Sequence, residues 1–226
     1  MSEYNYELRF FEDHIYFRDG QLLSLAPEIR VIYVLKGSVV VNGNKFLQGQ
    51  GVLTQDVSEL KVSGEGAEIA RWELVPFGAP NKNILAQFGG QEASFGQSLN
   101  KRTDFITIPG DKTGIRLDIV TFPPGTRAYR HLHSSCGIRY IVRGKLEINT
   151  NESIDLMEQG HAWFEAANSP VLAIASEEVE TQFVRVMVLP PEYHGKLTIT
   201  YVDPADDAKP RENQNKRLLD KIVLLT

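Results

Sequence analysis

The chain has 226 residues, 42% hydrophobic and 23% charged, which suits one large domain or two small ones around a real core. Its net charge of -5 argues against a nucleic-acid or membrane-surface protein, which would carry a basic face. The single cysteine, Cys136, excludes an internal disulfide, the Met1–Arg9 segment is polar rather than signal-like, and no apolar run nears the roughly 20 residues of a bilayer span, so a cytoplasmic protein is expected.

In chain order, short segments rich in Val, Ile and Phe, such as Ile29–Leu35 and Ser38–Val41, read as strands bounded by turn residues. Phe77 to Lys101 is rich in Gly, Asn and Gln and reads as a connector with little secondary structure. Strand-like segments resume at Arg116–Phe122, Val171–Ala175 and Phe183–Leu189. Asp203 to Lys216 is a polar tail with two prolines, and the apolar Leu218–Leu225 after it is expected to dock, with a partner subunit as one place for it. No long stretch has the helical apolar period, so helices should be few.

The two halves repeat one another. Tyr33-Val34-Leu35-Lys36-Gly37 matches Tyr140-Ile141-Val142-Arg143-Gly144, and both run on to an asparagine turn. Gln50-Gly51 is then set against Gln159-Gly160, and Arg71 with Pro76 against Arg185 with Pro190. Ordered anchors at similar spacing indicate an internal duplication. Many short strands in each copy indicate a sandwich or barrel. The expected organisation is an N-terminal barrel over 1–80, a connector over 81–104, a C-terminal barrel over 105–202 and a tail over 203–226.

From Gly125 the second copy resembles the first motif of the cupin superfamily. Gly125 is followed after five residues by His131-Leu132-His133, and the motif closes at Gly144. The glutamate of that motif is missing: its place is Gly137. The family's third histidine would fall eleven residues after Gly160, on Val171. The resemblance implies two tandem jelly-roll-like β-barrels, an all-β bicupin, with an incomplete metal motif in the second. In the first copy, aligned without gaps, Ser24, Ala26, Arg30 and Val62 occupy the ligand positions, so that barrel is expected to be structural.

His131 and His133, two apart on a strand, point the same way and can share one divalent cation, Zn, Fe, Ni or Mn, or hold none. His161 and Glu165 are the candidate substitute ligands, set against readings as a turn histidine and a solvated charge. By strand parity Arg127, Tyr129, His131 and His133 share a face, and the family's register turns Arg139 inward, with room beside it at Gly137. An inward guanidinium suits a carboxylate, because its planar fork donates two parallel hydrogen bonds. Arg127 and Arg139 are therefore the candidate ligand-binding residues, and Tyr129 and Arg139 the candidate catalytic ones. Arg71 and Arg185, on matching last strands, read as a shared structural or interface position, and Cys136, His14 and His194 as residues without a site.

Two functions of different class follow. One is a metal-assisted enzyme acting on a small carboxylated metabolite, its reaction (hydrolase, dioxygenase, isomerase or lyase) left open by the resemblance. The other is a metal-free small-molecule sensor or binding protein, or a structural cupin. A homodimer is the expected partner arrangement, through edge strands in need of cover.

Overall fold

The computed structural model describes residues 3–16, 22–81 and 83–225, with backbone only for 63–65 and 89–93. The chain divides into two compact units, Met1–Gly110 and Asp111–Thr226. The division falls after the expected connector, because Gly96–Pro109 is a strand of the first unit rather than part of a linker. Its burial alternates only from Asp104 to Pro109, and the earlier part, with Gly, Gln and Asn, shows no such period.

The first unit contains β1 (Glu3–Ile15), β2 (Leu22–Leu25), β3 (Ile29–Val41), β4 (Asn44–Leu47), β5 (Gly51–Thr54), β6 (Ser58–Pro76) and β7 (Gly96–Pro109). They form one antiparallel sheet in the order β4-β3-β6-β1-β7, with β2 on β6 and β5 on β3. A short 3-10 turn and a single helical turn, Ala86–Gln91 and Glu92–Phe95, precede β7. The interior is filled by apolar side chains, among them Leu23, Leu25, Ile32, Val34, Leu60 and Val62. The inward residues of β2 are thus Leu23 and Leu25, not Ser24 and Ala26: Ser24 is exposed, and the gap-free alignment is out of register by one.

The second unit contains β8 (Lys112–Phe122), β9 (Arg127–His133), β10 (Cys136–Arg143), β11 (Lys145–Asn149), β12 (Ile154–Glu158), β13 (Ala162–Glu165), β14 (Val171–Ala175), β15 (Thr181–Leu189), β16 (Ile199–Tyr201) and β17 (Gln214–Leu224). Two five-stranded antiparallel sheets result, β13-β10-β15-β8-β17 and β12-β11-β14-β9-β16. Val120 and Phe183 of the first sheet share one core with Leu146, Ile148 and Val171 of the second. The expected C-terminal tail is β17, which pairs along β8 from Gln214 to Leu224. Its apolar residues therefore dock on this unit's own sheet.

The duplicated glycines have a shared cause. At Gly144, where the chain leaves one sheet for the other, φ is +79° and a Cβ would lie 2.6 Å from the Glu180 carbonyl oxygen. At Gly37 φ is +76° and a Cβ would lie 2.6 Å from the Gly66 carbonyl oxygen. Side chains are excluded on both counts. The next anchor is shifted. Gly49 N–H donates to Val34 O and Val34 N–H to Gln50 O, as Gly160 N–H donates to Ile141 O and Ile141 N–H to His161 O. Gln48-Gly49, not Gln50-Gly51, is the counterpart of Gln159-Gly160.

Candidate functional site

The inner face of the β13-β10-β15-β8-β17 sheet is built in rows, because residues paired across antiparallel strands lie on one face. One row runs Trp163, Arg139, Arg185, Asp118, Arg217 across the five strands. Two residues along, Ile141, Phe183, Val120 and Asn215 form an almost wholly apolar row. Two residues the other way lie Glu165, Gly137, Met187 and Arg116, with Asp220 opposite Arg116 past a bulge in β17. A charged layer is thus flanked on one side by an apolar one, roughly 7 Å further along the strands.

The opposite sheet contributes His131 and His133 from β9, and Val171 and Ala173 from β14. Together the sheets enclose a cavity of about 330 Å³, with Leu197, Tyr201, Arg211 and Asn213 among the residues lining it from the C-terminal segments. Five guanidiniums, Arg116, Arg139, Arg185, Arg211 and Arg217, face it against two carboxylates, Asp118 and Glu165. The chain is acidic; the cavity is basic.

The histidines are held by their outer nitrogens. His131 Nδ1 lies 2.6 Å from the Tyr129 carbonyl oxygen, which can only accept, so Nδ1 carries the proton and Nε2 the lone pair. His131 Nε2 is 3.2 Å from His133 Nε2. His133 Nδ1 lies 3.4 Å from Thr198 Oγ1, and its Nε2 3.5 Å from Arg185 Nη1. Burial lowers both histidines below their ordinary value, and Arg185 and Arg139 push the same way; His133 falls furthest. The pair is neutral at pH 7.

Arg139 is fully buried. Its Nη1 donates to the Gly137 carbonyl at 2.6 Å, and its Nη2 lies 2.6 Å from Glu165 Oε2, an ion pair without hydrogen-bond alignment. Burial, against the partial compensation of Glu165, pulls the guanidinium down to about 10. The contrast is Arg71 in the first unit, equally buried but held by Asp13 at 2.7 Å and Glu73 at 2.5 Å. There burial is outweighed, and the two carboxylates raise the guanidinium above its ordinary value.

The structure rearranges several sequence expectations. Arg139 does line the cavity, but there is no room beside it: a Cβ at Gly137 would lie 2.2 Å from the Val186 carbonyl oxygen. The glycine permits close approach of β10 and β15. Arg127 and Tyr129 do not share the face of His131. Val171 pairs with His131 but Ala173 with Ala128, so β9 carries one residue more than β14 between these pairs. This bulge reverses parity: Ala128 lines the cavity, Arg127 is exposed, and the Tyr129 ring packs under Lys209 Nζ at 4.5 Å. Tyr129 contributes only its carbonyl. His161 is exposed on the turn between β12 and β13, where its Nδ1 accepts from Glu158 N–H. Glu165 is no solvated charge, being paired with Arg139 and accepting from Trp163 Nε1 at 2.9 Å. Arg185 lines the cavity instead of serving a merely structural position.

Sequence reasoning overlooked Arg116 and Asp118. Their signal was present: two charges at alternate positions within the apolar Ile115–Val120 stretch, in parity with Val120 and Phe122.

No protein-family model matches the chain, and no curated protein matches it in sequence. Solved structures do match. AerE from Microcystis aeruginosa superposes with a TM-score of 0.54 at 14% identity, over 80% of this chain and 88% of that one. The 11S allergen from Cocos nucifera L. gives 0.60 at 13% identity, over 90% and 85%. A cupin 2 conserved barrel domain protein from Leptotrichia buccalis gives 0.46 at 11% identity, over 81% and 84%. At such identities the likeness is one of fold. What AerE and the 11S allergen share with this chain is an antiparallel, sheet-rich fold.

Proposed function

We propose that this two-barrel cupin binds a small organic carboxylate in its C-terminal barrel, seated on Arg139 and Arg185 beside the His131–His133 pair. The observation that carries the reading is Arg139: a fully buried guanidinium whose one carboxylate neighbour is out of hydrogen-bond alignment, in a cavity where cations outnumber anions. A buried charge is tolerated when its donors and its charge are matched, and a bound carboxylate matches both. The neutral imidazoles next to it can accept a proton from the ligand, which gives the barrel a base should it turn its ligand over.

The side chains do not fit a resident transition metal. His131 and His133 supply two nitrogen donors, whereas catalytic metal sites generally have three protein ligands. Val171 and Gly137 occupy the remaining motif positions, and both Glu165 oxygens are engaged. No group of three His, Cys, Asp or Glu among the described residues is arranged to hold a metal. Arg185 Nη1, 3.5 Å from His133 Nε2, adds a fixed cation where a dication would approach.

The test is calorimetric titration of wild-type and Arg139→Gln protein with a panel of small carboxylates and amides of the same shape, after elemental analysis of the purified chain. Carboxylates should bind, the matched amides should not, and Arg139→Gln should abolish the difference. Equal binding of acid and amide would sink the carboxylate reading. One tightly held metal per chain would overturn the metal-free one.

A further inference from the structure

Asp118 is the carboxylate of the row that holds Arg139, and it is satisfied on one side only. Its side chain is 2% exposed. Oδ2 accepts from Arg185 Nε at 3.3 Å, from Arg185 Nη2 at 3.1 Å and from Asn215 Nδ2 at 3.4 Å. Among the described residues Oδ1 has no hydrogen-bond partner; Arg217 Nε stands 3.9 Å away. A carboxylate oxygen left unpaired in the interior is unfavourable, and buried acceptors of this kind are almost always occupied.

Position gives that oxygen a meaning. Asp118, Arg185 and Arg139 are directly paired across three adjacent strands, so donors for an anion and a vacant acceptor stand side by side in one row. Adjacent strands are about 4.8 Å apart, a spacing on the scale of one or two bonds of a small ligand plus its hydrogen bonds. The next positions along the strands, Val120, Phe183 and then Phe122, are apolar, and Leu146 and Ala173 face them from the other sheet. A ligand filling this space meets a carboxylate site, an acceptor next to it and an apolar wall beyond.

We infer that the ligand is an apolar carboxylic acid bearing a hydrogen-bond donor, hydroxyl or ammonium, next to its carboxylate, and that Asp118 Oδ1 recognises that donor. The inference rests on the carboxylate reading above and sharpens it. An acid without the donor leaves Oδ1 unpaired in the complex. An acid with the donor but no apolar body leaves the Phe122–Phe183 wall uncovered.

The experiment is calorimetric titration of the wild-type chain with 4-methylpentanoate, 2-hydroxy-4-methylpentanoate and leucine, repeated with 3-phenylpropionate, 3-phenyllactate and phenylalanine, and with glycolate as the acid lacking a body. At least one donor-bearing acid should bind about tenfold or more tighter than its donor-free counterpart. Whether the hydroxy or the amino acid gains identifies the donor. Glycolate should bind weakest of the donor-bearing acids. In Asp118→Asn the preference should shrink to about twofold while the donor-free acid still binds; if that variant does not fold, the wild-type series decides alone. Donor-free acids binding as tightly as the others would show that water satisfies Asp118, and would overturn this inference while leaving the carboxylate reading standing. No binding by any of the acids overturns both.

Discussion

Arg71 and Arg185 stand at equivalent places in the duplicated fold and differ in their counter-charges. Arg71 is enclosed by Asp13 and Glu73, so its charge is matched within the protein. Arg185, its counterpart, pairs with one carboxylate among the described residues, Asp118, and it shares the row with Arg139, whose ion pair with Glu165 is misaligned. Charge-assisted hydrogen bonds contribute roughly 1.5–3 kcal/mol, so Arg139→Gln is expected to weaken carboxylate binding by about one to two orders of magnitude in calorimetry. Arg139→Lys should recover only part of the loss, since a point charge replaces a two-donor fork. The histidines set a pH dependence whose sign follows from their lowered values. Above their ordinary value of 6.5 both folded and unfolded chains carry them neutral, and they contribute no slope. Below it the unfolded chain takes up protons that the folded barrel refuses, so stability falls as the pH drops. Melting temperature recorded from pH 8 to pH 5 should therefore decline below about 6.5, with a shallower decline in the His131→Asn, His133→Gln double variant.

At the scale of elements, the site depends on a bulge, a close approach and a last strand. The bulge in β9 turns Tyr129 away and leaves its carbonyl to orient His131. The close approach is at Gly137, where any Cβ would strike the backbone of β15. Gly137→Ala is expected to destabilise the chain by about 1–3 kcal/mol in denaturant unfolding, the usual cost of overpacking. It should also weaken carboxylate binding, because Arg139 lies two residues along the same displaced strand. The last strand, β17, covers the β8 edge and carries Asn215 and Arg217 to the cavity. A chain ending at Pro210 would expose the whole of β8 as an unpaired edge. Such a truncation should lower the melting temperature, promote self-association in sedimentation and abolish ligand binding.

Across the whole molecule, one architecture has been used twice with different interiors. The register sets Ile32 against Arg71 in the first unit and Arg139 against Arg185 in the second. In the first, Ile32 stands in an apolar interior with Val34, Leu60 and Val62; in the second, its counterpart Arg139 stands in the charged row beside the cavity. A reciprocal exchange should therefore be asymmetric. Ile32→Arg buries a cation in a packed apolar interior and is expected to cost more than about 3 kcal/mol. Arg139→Ile replaces a costly buried charge with an apolar side chain, and should change stability by less than about 2 kcal/mol while removing carboxylate binding. Denaturant midpoints of the two variants, with titration of the second, check both halves.

Periodicity, turn residues and repetition are local signals, so the all-β class, the duplication and the Gly125 to Gly144 motif were legible in the amino-acid sequence, as were His131, His133 and the inward Arg139. The histidine pair was read from spacing along one strand, the inward Arg139 from the register of the resembled motif, and the duplication from anchors shared by the two halves. What spacing could not carry was everything decided between strands. The β9 bulge reversed the face of Arg127 and Tyr129, and it is visible only in the pairing with β14. Glu165 looked like a surface charge until β13 brought it to Arg139, and Arg185 like a structural residue until β15 lay between β10 and β8. Whether the polar 96–104 segment and the C-terminal tail were strands depended on partners far away in the chain, 89 residues for Phe11 with Asn100 and 106 for Lys221 with Ile115. The sequence determined which side chains alternate and where the chain must turn. Only the tertiary structure decided which of them meet, because a sheet is closed by long-range pairing, and a row of charges exists only after the strands are side by side.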